Sequence, residues 1–457
     1  MKMNPVIFRE YDIRGVYNSD FDLEFAENLG KAFVSFVRKH EKPEGLIEVT
    51  LGHDARLSSP DIVKALTQGM VASGAKVYQI GMVTSPISYF STFEIPNVSG
   101  GIMVTGSHNP PEYNGFKISV GKTTIHGPSI KELYEIIESK DYISGDGSSE
   151  TYDIFPQYVE KYKKEFSHLK DLPVVLDCGN GAAGVIARKL YEACGLKPII
   201  LFEEPDGTFP NHHPDPTVEE NLVDLKKAVL ENKAVVGIGF DGDADRIGVV
   251  GEMGQTVFGD ELMVLVADDI LKSNAGAKIV GDVKCSDRLY EFVKLKGGLP
   301  IMWKTGHSLI KDKIRTEKAP FGGELSGHIF FADRNYGYDD ALYAGLRVIE
   351  ILSNSGKTIS ELLSELPEAF NTPEIRIDTT EEKKHLIVEA LKKKFHTDND
   401  DYKVNLQDGL RVSFKNGWAL ARASNTQPVL VLRFEADSDT NLKHIEKQFR
   451  DVVDPLL

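Results

Sequence analysis

The segment Thr105-Gly106-Ser107-His108-Asn109-Pro110 places a hydroxyl, an imidazole and an amide on one short polar loop. It follows an apolar run, residues 98–104, that reads as a strand, and Pro110 and Pro111 prevent a helix from starting behind it. An exposed serine with neighbouring donors and a proton acceptor suits a covalently carried phosphoryl or acyl group. Taken alone, the same composition describes an ordinary turn. A second segment changes that balance. The apolar run 234–240 ends in Asp241-Gly242-Asp243-Ala244-Asp245-Arg246, three alternate carboxylates separated by small residues. Carboxylates gathered so closely repel one another unless a cation lies between them. Too few oxygens are present to fill a calcium shell, so Mg²⁺ completed by phosphate or water is the better match. An EF-hand is rejected although Glu252 falls at its last ligand position. Arg246 stands where that loop needs glycine, and residues 247–250 read as a strand.

Two further loops carry recognition chemistry. Phe321-Gly322-Gly323-Glu324-Leu325-Ser326-Gly327-His328 puts an acceptor, a hydroxyl and an imidazole between glycines, the mixture that sugar hydroxyls require. Arg422-Ala423-Ser424-Asn425-Thr426-Gln427-Pro428 combines a guanidinium with hydroxyls and an amide, a phosphate-binding combination. Near the N-terminus, Tyr11 and Arg14 flank a glycine, Gly15. Lys117 lies just beyond Ser107, across a turn expected at Asn114-Gly115. It reads either as an ammonium held near phosphate or as a general acid/base with a lowered pKa.

Together these stretches resemble the α-D-phosphohexomutases, in particular the phosphomannomutase/phosphoglucomutase branch, from Phe8 nearly to the C-terminus. The resemblance implies that Ser107 carries the phosphoryl group. It implies that Asp241, Asp243 and Asp245, with one oxygen on Ser107, bind Mg²⁺, and that Arg14 and Arg246 lie near the same phosphate. Tyr11, Lys284, His307 and His328 match substrate-facing family positions. Glu324 and Ser326 match the pair that reads the sugar's 3- and 4-hydroxyls, in the form of the branch that accepts both glucose and mannose. Arg422, Ser424, Asn425 and Thr426 match the terminal phosphate loop. The implied reaction interconverts hexose 1- and 6-phosphates through a phosphoserine enzyme, with glucose 1,6-bisphosphate as intermediate and activator. Lys117 is the first candidate for taking the proton of the attacking hydroxyl and His108 the second. His53 departs from the family's usual arginine, while Asp54 and Arg56 are kept. Rival readings are a phosphoglucosamine or acetylglucosamine phosphate mutase, a non-catalytic sugar-phosphate-binding regulator, and a Mg²⁺-dependent phosphatase.

The elements that must position these loops are those of α/β domains. Gly52, Asp177 and Asp282 each close a strand and open a polar turn and a helix, which suggests three related α/β units. The resemblance adds a central cleft and a smaller C-terminal α+β domain. Residues 139–151 and 366–373 read as linkers, so the expected domains are 1–151, 152–255, 256–368 and 369–457. Gly179, Gly181 and Gly184, with Glu203 beyond, fit a dinucleotide fingerprint, but a structural turn is preferred because the other motifs point to sugar phosphate. His212 and His213 sit in a proline-broken loop and receive no chemistry. The lysine run of the charged helix at 381–395 reads as a solvated face.

A chain of 457 residues with net charge −16 argues against a general nucleic-acid or anionic-membrane surface. Cys178, Cys194 and Cys285 are odd in number and lack metal-site spacing, which suggests a reducing compartment. No signal core is visible, and a cytoplasmic enzyme acting on a small phosphohexose is expected.

Overall fold

The structure is a computed structural model that describes residues 2–398, 400–424 and 428–457. Four separate sheets form among the described residues. In the first, the strands Ile47–His53, Ala75–Met82, Val98–Val104 and Ser148–Thr151 run parallel, and Tyr113–Val120 and Ile13–Val16 continue it antiparallel. The second orders Thr256–Val257, Ile247–Gly251, Val236–Phe240, Val174–Asp177 and Ile199–Leu201. The third orders Leu299–Trp303, Lys278–Asp282, Phe321–Gly323 and Ile329–Phe331. The fourth is antiparallel throughout, with Val429–Ala436 and Gly417–Ala423 at its centre and the helices Glu381–Lys394 and Asp439–Val453 packed on it. Three α/β units and one α+β unit are therefore present, the fold class that the sequence implies.

The helices form where apolar residues recur on one face. In Leu23–His40, Phe25, Leu29, Phe33 and Val37 repeat at four-residue spacing and are all buried. Asp22 caps its first turn by accepting from the Phe25 N–H, and Arg38, Lys39 and His40 oppose the dipole at its end. The second and third units share most of their interior, although each keeps a smaller cluster of its own, around Leu225 in the second and Ile310 in the third. One continuous core runs through both and takes in part of the first. Its centre is the helix Ala341–Ser355, which follows the third sheet yet packs on Val236–Phe240 and Ile247–Gly251 of the second. Residues 341–353 are all buried, and the two charges among them are paired, Arg347 with Asp333 at 2.9 Å and Glu350 with Arg334.

Three expectations about local structure need correction. Ser148–Thr151 is an edge strand and not linker. All four of its residues are exposed, so it is held by ladder hydrogen bonds and shows no apolar alternation. Phe370–Asn371 likewise pairs with Val429–Ala436 inside the second supposed linker. Asn114 and Gly115 lie within Tyr113–Val120 and form no hairpin turn. Asn114 Nδ2 is held instead by the hydroxyls of Ser58 and Ser59.

The C-terminal unit is fastened to the third by buried arginines. Arg411 donates through Nη1 to the carbonyls of Val283 and Cys285 and through Nη2 to Asp287 Oδ1 at 2.6 Å. Its guanidinium lies 3.7 Å from the ring centroid of the buried Trp418. Arg433 reaches the Lys284 carbonyl and lies 3.6 Å from Asp260. Arg411→Ala strips several buried acceptors of their donor at once. It should destabilise the protein by about 3 kcal/mol or more, read as a fall in the calorimetric unfolding midpoint. Wild-type stability would show that the junction does not depend on this contact.

Candidate active site

The Ser107 loop owes its shape to Asp54 and Arg56, both buried. Arg56 Nε donates to Asp54 Oδ2 at 3.1 Å. Its two Nη atoms donate to the carbonyls of Ser107, Asn109, Pro110 and Tyr113 at 2.5–3.0 Å. Asp54 also accepts from Thr105 Oγ1 at 2.8 Å and from the Gly106 N–H at 3.1 Å. Gly106 is required here, because a Cβ would lie 2.5 Å from the Arg56 guanidinium. Ser107 has φ 50°, a left-handed conformation that costs a non-glycine residue energy and that this scaffold imposes. The sequence suggests an exposed serine. It is only 2 % exposed, because the aspartate loop of the second unit covers it.

Ser107 Oγ donates to Asp241 Oδ2 at 2.9 Å and lies 3.2 Å from His108 Nδ1. Burial, together with Arg246 and Arg14, pushes the His108 imidazole well below its ordinary pKa, so it is neutral. Arg14 reaches the same loop through Asn109 Oδ1 at 2.7 Å.

Asp241, Asp243 and Asp245 are completely buried. Their loop turns through Ala244 at φ 58°, and Gly242 sits so close to Ser107 that a Cβ would lie 2.5 Å from the serine carbonyl. Asp241 Oδ1 accepts from the N–H groups of Asp245 and Arg246 at 3.0 and 3.1 Å. Lys117 Nζ donates to Asp243 Oδ2 at 2.6 Å and to Asp245 Oδ2. Ser85 Oγ donates to Asp243 Oδ2 at 2.5 Å. That leaves Asp243 Oδ1 and Asp245 Oδ1 buried without a hydrogen-bond partner among the described residues. One oxygen from each of the three carboxylates lies within 4.8 Å of the others. Burial and the two neighbouring aspartates push Asp241 well above the carboxylate range. A cluster with spare oxygens and unrelieved negative charge fits a hard divalent cation.

Lys117 differs from one expectation. Burial alone would lower its pKa, but Asp243 and Asp245 outweigh that and hold it well above the ordinary lysine value. That direction matches the reading of Lys117 as an ammonium held near phosphate, and Lys117 and His108 both stand beside the Ser107 and aspartate loops.

The third unit contributes Lys284, His307, Glu324, Ser326 and His328. Glu324 Oε1 accepts from the Gly306 N–H at 2.5 Å, so the two glycine loops are tied together. The rings of His307 and His328 stack with centroids 5.4 Å apart, and Tyr11 meets His307 edge-on. His328 Nε2 accepts from Arg246 Nε at 3.0 Å, and its Nδ1 lies 2.9 Å from Asp339 Oδ2. Ser326 is half-buried at the tip of its turn. Lys284 pairs with Glu374 at 3.1 Å, and Arg422 pairs with Asp408 at 3.1 Å. Ser424 is buried. Asn425 and Thr426 lie outside the described residues.

Several participants carry no legible signal in sequence. Ser85, Asp339, Glu374 and Asp408 act on partners that are distant along the chain. Lys384 departs from the solvated face to which Lys383, Lys393 and Lys394 keep, being 3 % exposed with Nζ donating to the Ser424 carbonyl at 2.6 Å. Only the i, i+3, i+4 phase with Ile387, Val388 and Leu391 would have marked it as inward-facing. The glycine fingerprint has a structural explanation. Glu203 is engaged by Arg188 at 2.6 Å, and a Cβ on Gly184 would lie 1.8 Å from the Glu203 carbonyl. His212 pairs with Asp177 at 3.1 Å.

The family models for phosphoglucomutase/phosphomannomutase match the chain in four consecutive stretches. Alpha/beta/alpha domain I matches residues 5–144, domain II 156–254, domain III 258–370 and the C-terminal domain 374–452. The chain is 46% identical over 445 residues to the phosphomannomutase/phosphoglucomutase of Pseudomonas aeruginosa, covering 97% of this chain and 95% of that one. It is 42% identical over 451 residues to a phosphoglucomutase of Neisseria gonorrhoeae, covering 98% and 96%. A crystal structure of a phosphoglucomutase/phosphomannomutase family protein from Burkholderia thailandensis superimposes with a TM-score of 0.92 at 43% identity, covering 99% of this chain and 98% of that one. The chain that brings Ser107, the aspartate loop and the two recognition loops together is a member of the phosphoglucomutase/phosphomannomutase family.

Proposed function

We propose that this protein is a phosphohexomutase that interconverts the 1- and 6-phosphates of glucose and of mannose through phosphorylated Ser107. The observation that carries the reading is the contact of Ser107 Oγ with Asp241 at the edge of a buried carboxylate cluster that has two orphaned oxygens. Asp241, Asp243 and Asp245 would hold Mg²⁺, which supplies Lewis-acid neutralisation of charge on a transferring phosphoryl group. Lys117 fixes the orientation of Asp243 and Asp245, and the Arg14 guanidinium reaches the Ser107 loop through Asn109.

In the forward half-reaction the bond between phosphorus and Ser107 Oγ breaks as a sugar hydroxyl forms its own bond to that phosphorus, and the proton of that hydroxyl passes by way of the His108 imidazole to the freed Oγ. The bisphosphate then turns over in the cleft, and its other phosphoryl group returns to Ser107. In that return step the Oγ proton faces Asp241 Oδ2 and His108 Nδ1, and the neutral imidazole can accept it. Glu324 and Ser326 would grip sugar hydroxyls, and Arg422 with Ser424, Asn425 and Thr426 would hold the phosphate that is not reacting. Added glucose 1,6-bisphosphate would rephosphorylate enzyme that has lost its intermediate. A mutase acting on acetylglucosamine phosphate is the second reading, and a competition of sugar phosphates in one assay separates the two.

Three results test the proposal. Ser107→Ala should lower turnover by about a thousandfold or more, and the intact mass of active wild type should include a phosphate that exchanges with substrate. Fully active protein that never carries phosphate at Ser107 would refute the route. Chelation should abolish activity and Mg²⁺ should restore it, while Asp243→Asn should weaken metal binding in calorimetry along with catalysis. Activity that survives thorough chelation would remove the metal from the mechanism. Glucose 1-phosphate and mannose 1-phosphate should show kcat/KM of similar order. One hydrogen bond to an uncharged partner is worth about 0.5–1.5 kcal/mol, too little to exclude one epimer if C2 is not read. A preference of many thousandfold would show that C2 is read.

A further inference from the structure

Asp408 belongs to none of the motifs above, yet it occupies a junction of the cleft. It sits between the strands Tyr402–Asn405 and Leu410–Phe414 of the C-terminal unit. Its Oδ2 accepts from Arg422 Nε at 3.1 Å and from the Thr305 N–H of the third unit at 3.0 Å, and its Oδ1 accepts from Arg422 Nη2 at 3.4 Å. Arg422 is buried, and Asp408 is the first charge holding it in its protonated form against burial.

The other end of the bridge is equally constrained. Thr305 Oγ1 donates to Asp282 Oδ2 at 2.8 Å, and its carbonyl accepts from Tyr11 Oη at 2.8 Å. The next residue, Gly306, is held by Glu324, and a Cβ there would lie 2.5 Å from the Tyr11 ring. One carboxylate therefore joins the arginine of the terminal phosphate loop to the loop that carries His307 and touches Glu324. Asp408 takes two of the donors of the Arg422 fork, and Nη1 has no partner among the described residues. A guanidinium gripped on one edge presents its remaining N–H groups in a fixed plane, which is what recognition of a phosphate by arginine requires.

We propose that Asp408 is a positioning residue that aligns Arg422 for the distal phosphate of the substrate and couples that clamp to the Thr305–His307 sugar loop. The proposal rests on the mutase reading. A competing consequence of the same geometry is charge competition, in which the carboxylate weakens phosphate binding, and the two have opposite signs.

The test is a double-mutant cycle on the full chain. Dissociation constants for glucose 1-phosphate are measured by titration calorimetry for wild type, Asp408→Ala, Arg422→Ala and the double variant. Asp408→Ala should weaken binding about tenfold, and the double variant should bind no more weakly than Arg422→Ala alone, since Asp408 acts through Arg422. In the mutase assay Asp408→Ala should raise KM more than it lowers kcat and should increase the requirement for added glucose 1,6-bisphosphate, two readouts that a general loss of stability does not move. Asp408→Asn keeps an acceptor for the Thr305 N–H and should fall between wild type and Asp408→Ala, so it serves if the alanine variant does not fold. Unchanged or tighter binding in both variants overturns the proposal, as do losses that multiply in the double variant. A wild type that binds glucose 1-phosphate without isomerising it defeats the mutase reading and leaves the binding cycle to judge Asp408. A wild type that neither binds nor isomerises it defeats both.

Discussion

Three fully buried carboxylates on one five-residue loop are the constraint around which this molecule is assembled. Such a group is tolerated only if opposite charge and hydrogen-bond donors come to it. The first unit supplies them through Lys117, Ser85 and Ser107. The loop is held in place from both sides. The Ser85 N–H donates to the Asp243 carbonyl at 2.9 Å, and the Ala341 N–H at the start of the buried helix of the third unit reaches the Ala244 carbonyl at 3.2 Å. The aspartate loop thus acts as a wedge between the first and third units, and its Ala244 and the following Ile247 belong to the core that continues through the second and third.

Five cations around the site share a pattern, while Arg246 instead donates to His328. Arg56 is paired with Asp54, Arg14 with Asp12, Lys117 with Asp243 and Asp245, Lys284 with Glu374, and Arg422 with Asp408. The Lys284 pair is strong enough to hold Glu374 down to about 2. A phosphate entering such a site meets cations already oriented and largely neutralised. Orientation of this kind lowers the reorganisation required on binding. Neutralisation limits the depth of the trap, which suits the proposed route, in which an intermediate would leave one set of contacts and make them again after turning over.

The aspartate loop is the most legible part of the site because its members are close in sequence. Asp241, Asp243 and Asp245 announce themselves by spacing, because their mutual repulsion is local and the small residues between them have no other evident purpose. The glycine loop at residues 323–328 and Arg422 stand out by residue type alone, since their partners Gly306, Arg246 and Asp408 lie elsewhere along the chain. The strands before them are apolar runs of ordinary length, so the three α/β units are visible as well. The edge strand Ser148–Thr151 escapes because it is wholly exposed, and Phe370–Asn371 escapes because two residues show no period. The Asn114-Gly115 pair misleads in the other direction. Its local chemistry says turn, while its tertiary neighbours, the Arg14 strand on one side and the hydroxyls of Ser58 and Ser59 on the other, say strand.

Lys117 and Lys384 show why protonation and burial are harder to read than ligand identity. A lysine beside a catalytic loop suggests a lowered pKa if burial dominates and a raised one if carboxylates dominate, and the choice depends on residues more than a hundred positions away. Asp243 and Asp245 reverse the sign for Lys117. For Lys384, one residue of a run that looks uniformly solvated is turned inward by helix phase and finds the Ser424 carbonyl. Asp408 is the limiting case. Followed by Gly409, it has the composition of a plain hairpin turn, and the turn is real, since it joins two antiparallel strands. Nothing in that dipeptide distinguishes a carboxylate facing water from one that bridges Arg422 and Thr305. Motifs identify the groups that meet a ligand. The groups that hold those in place are set by packing between domains, and so they appear only when the chain is folded.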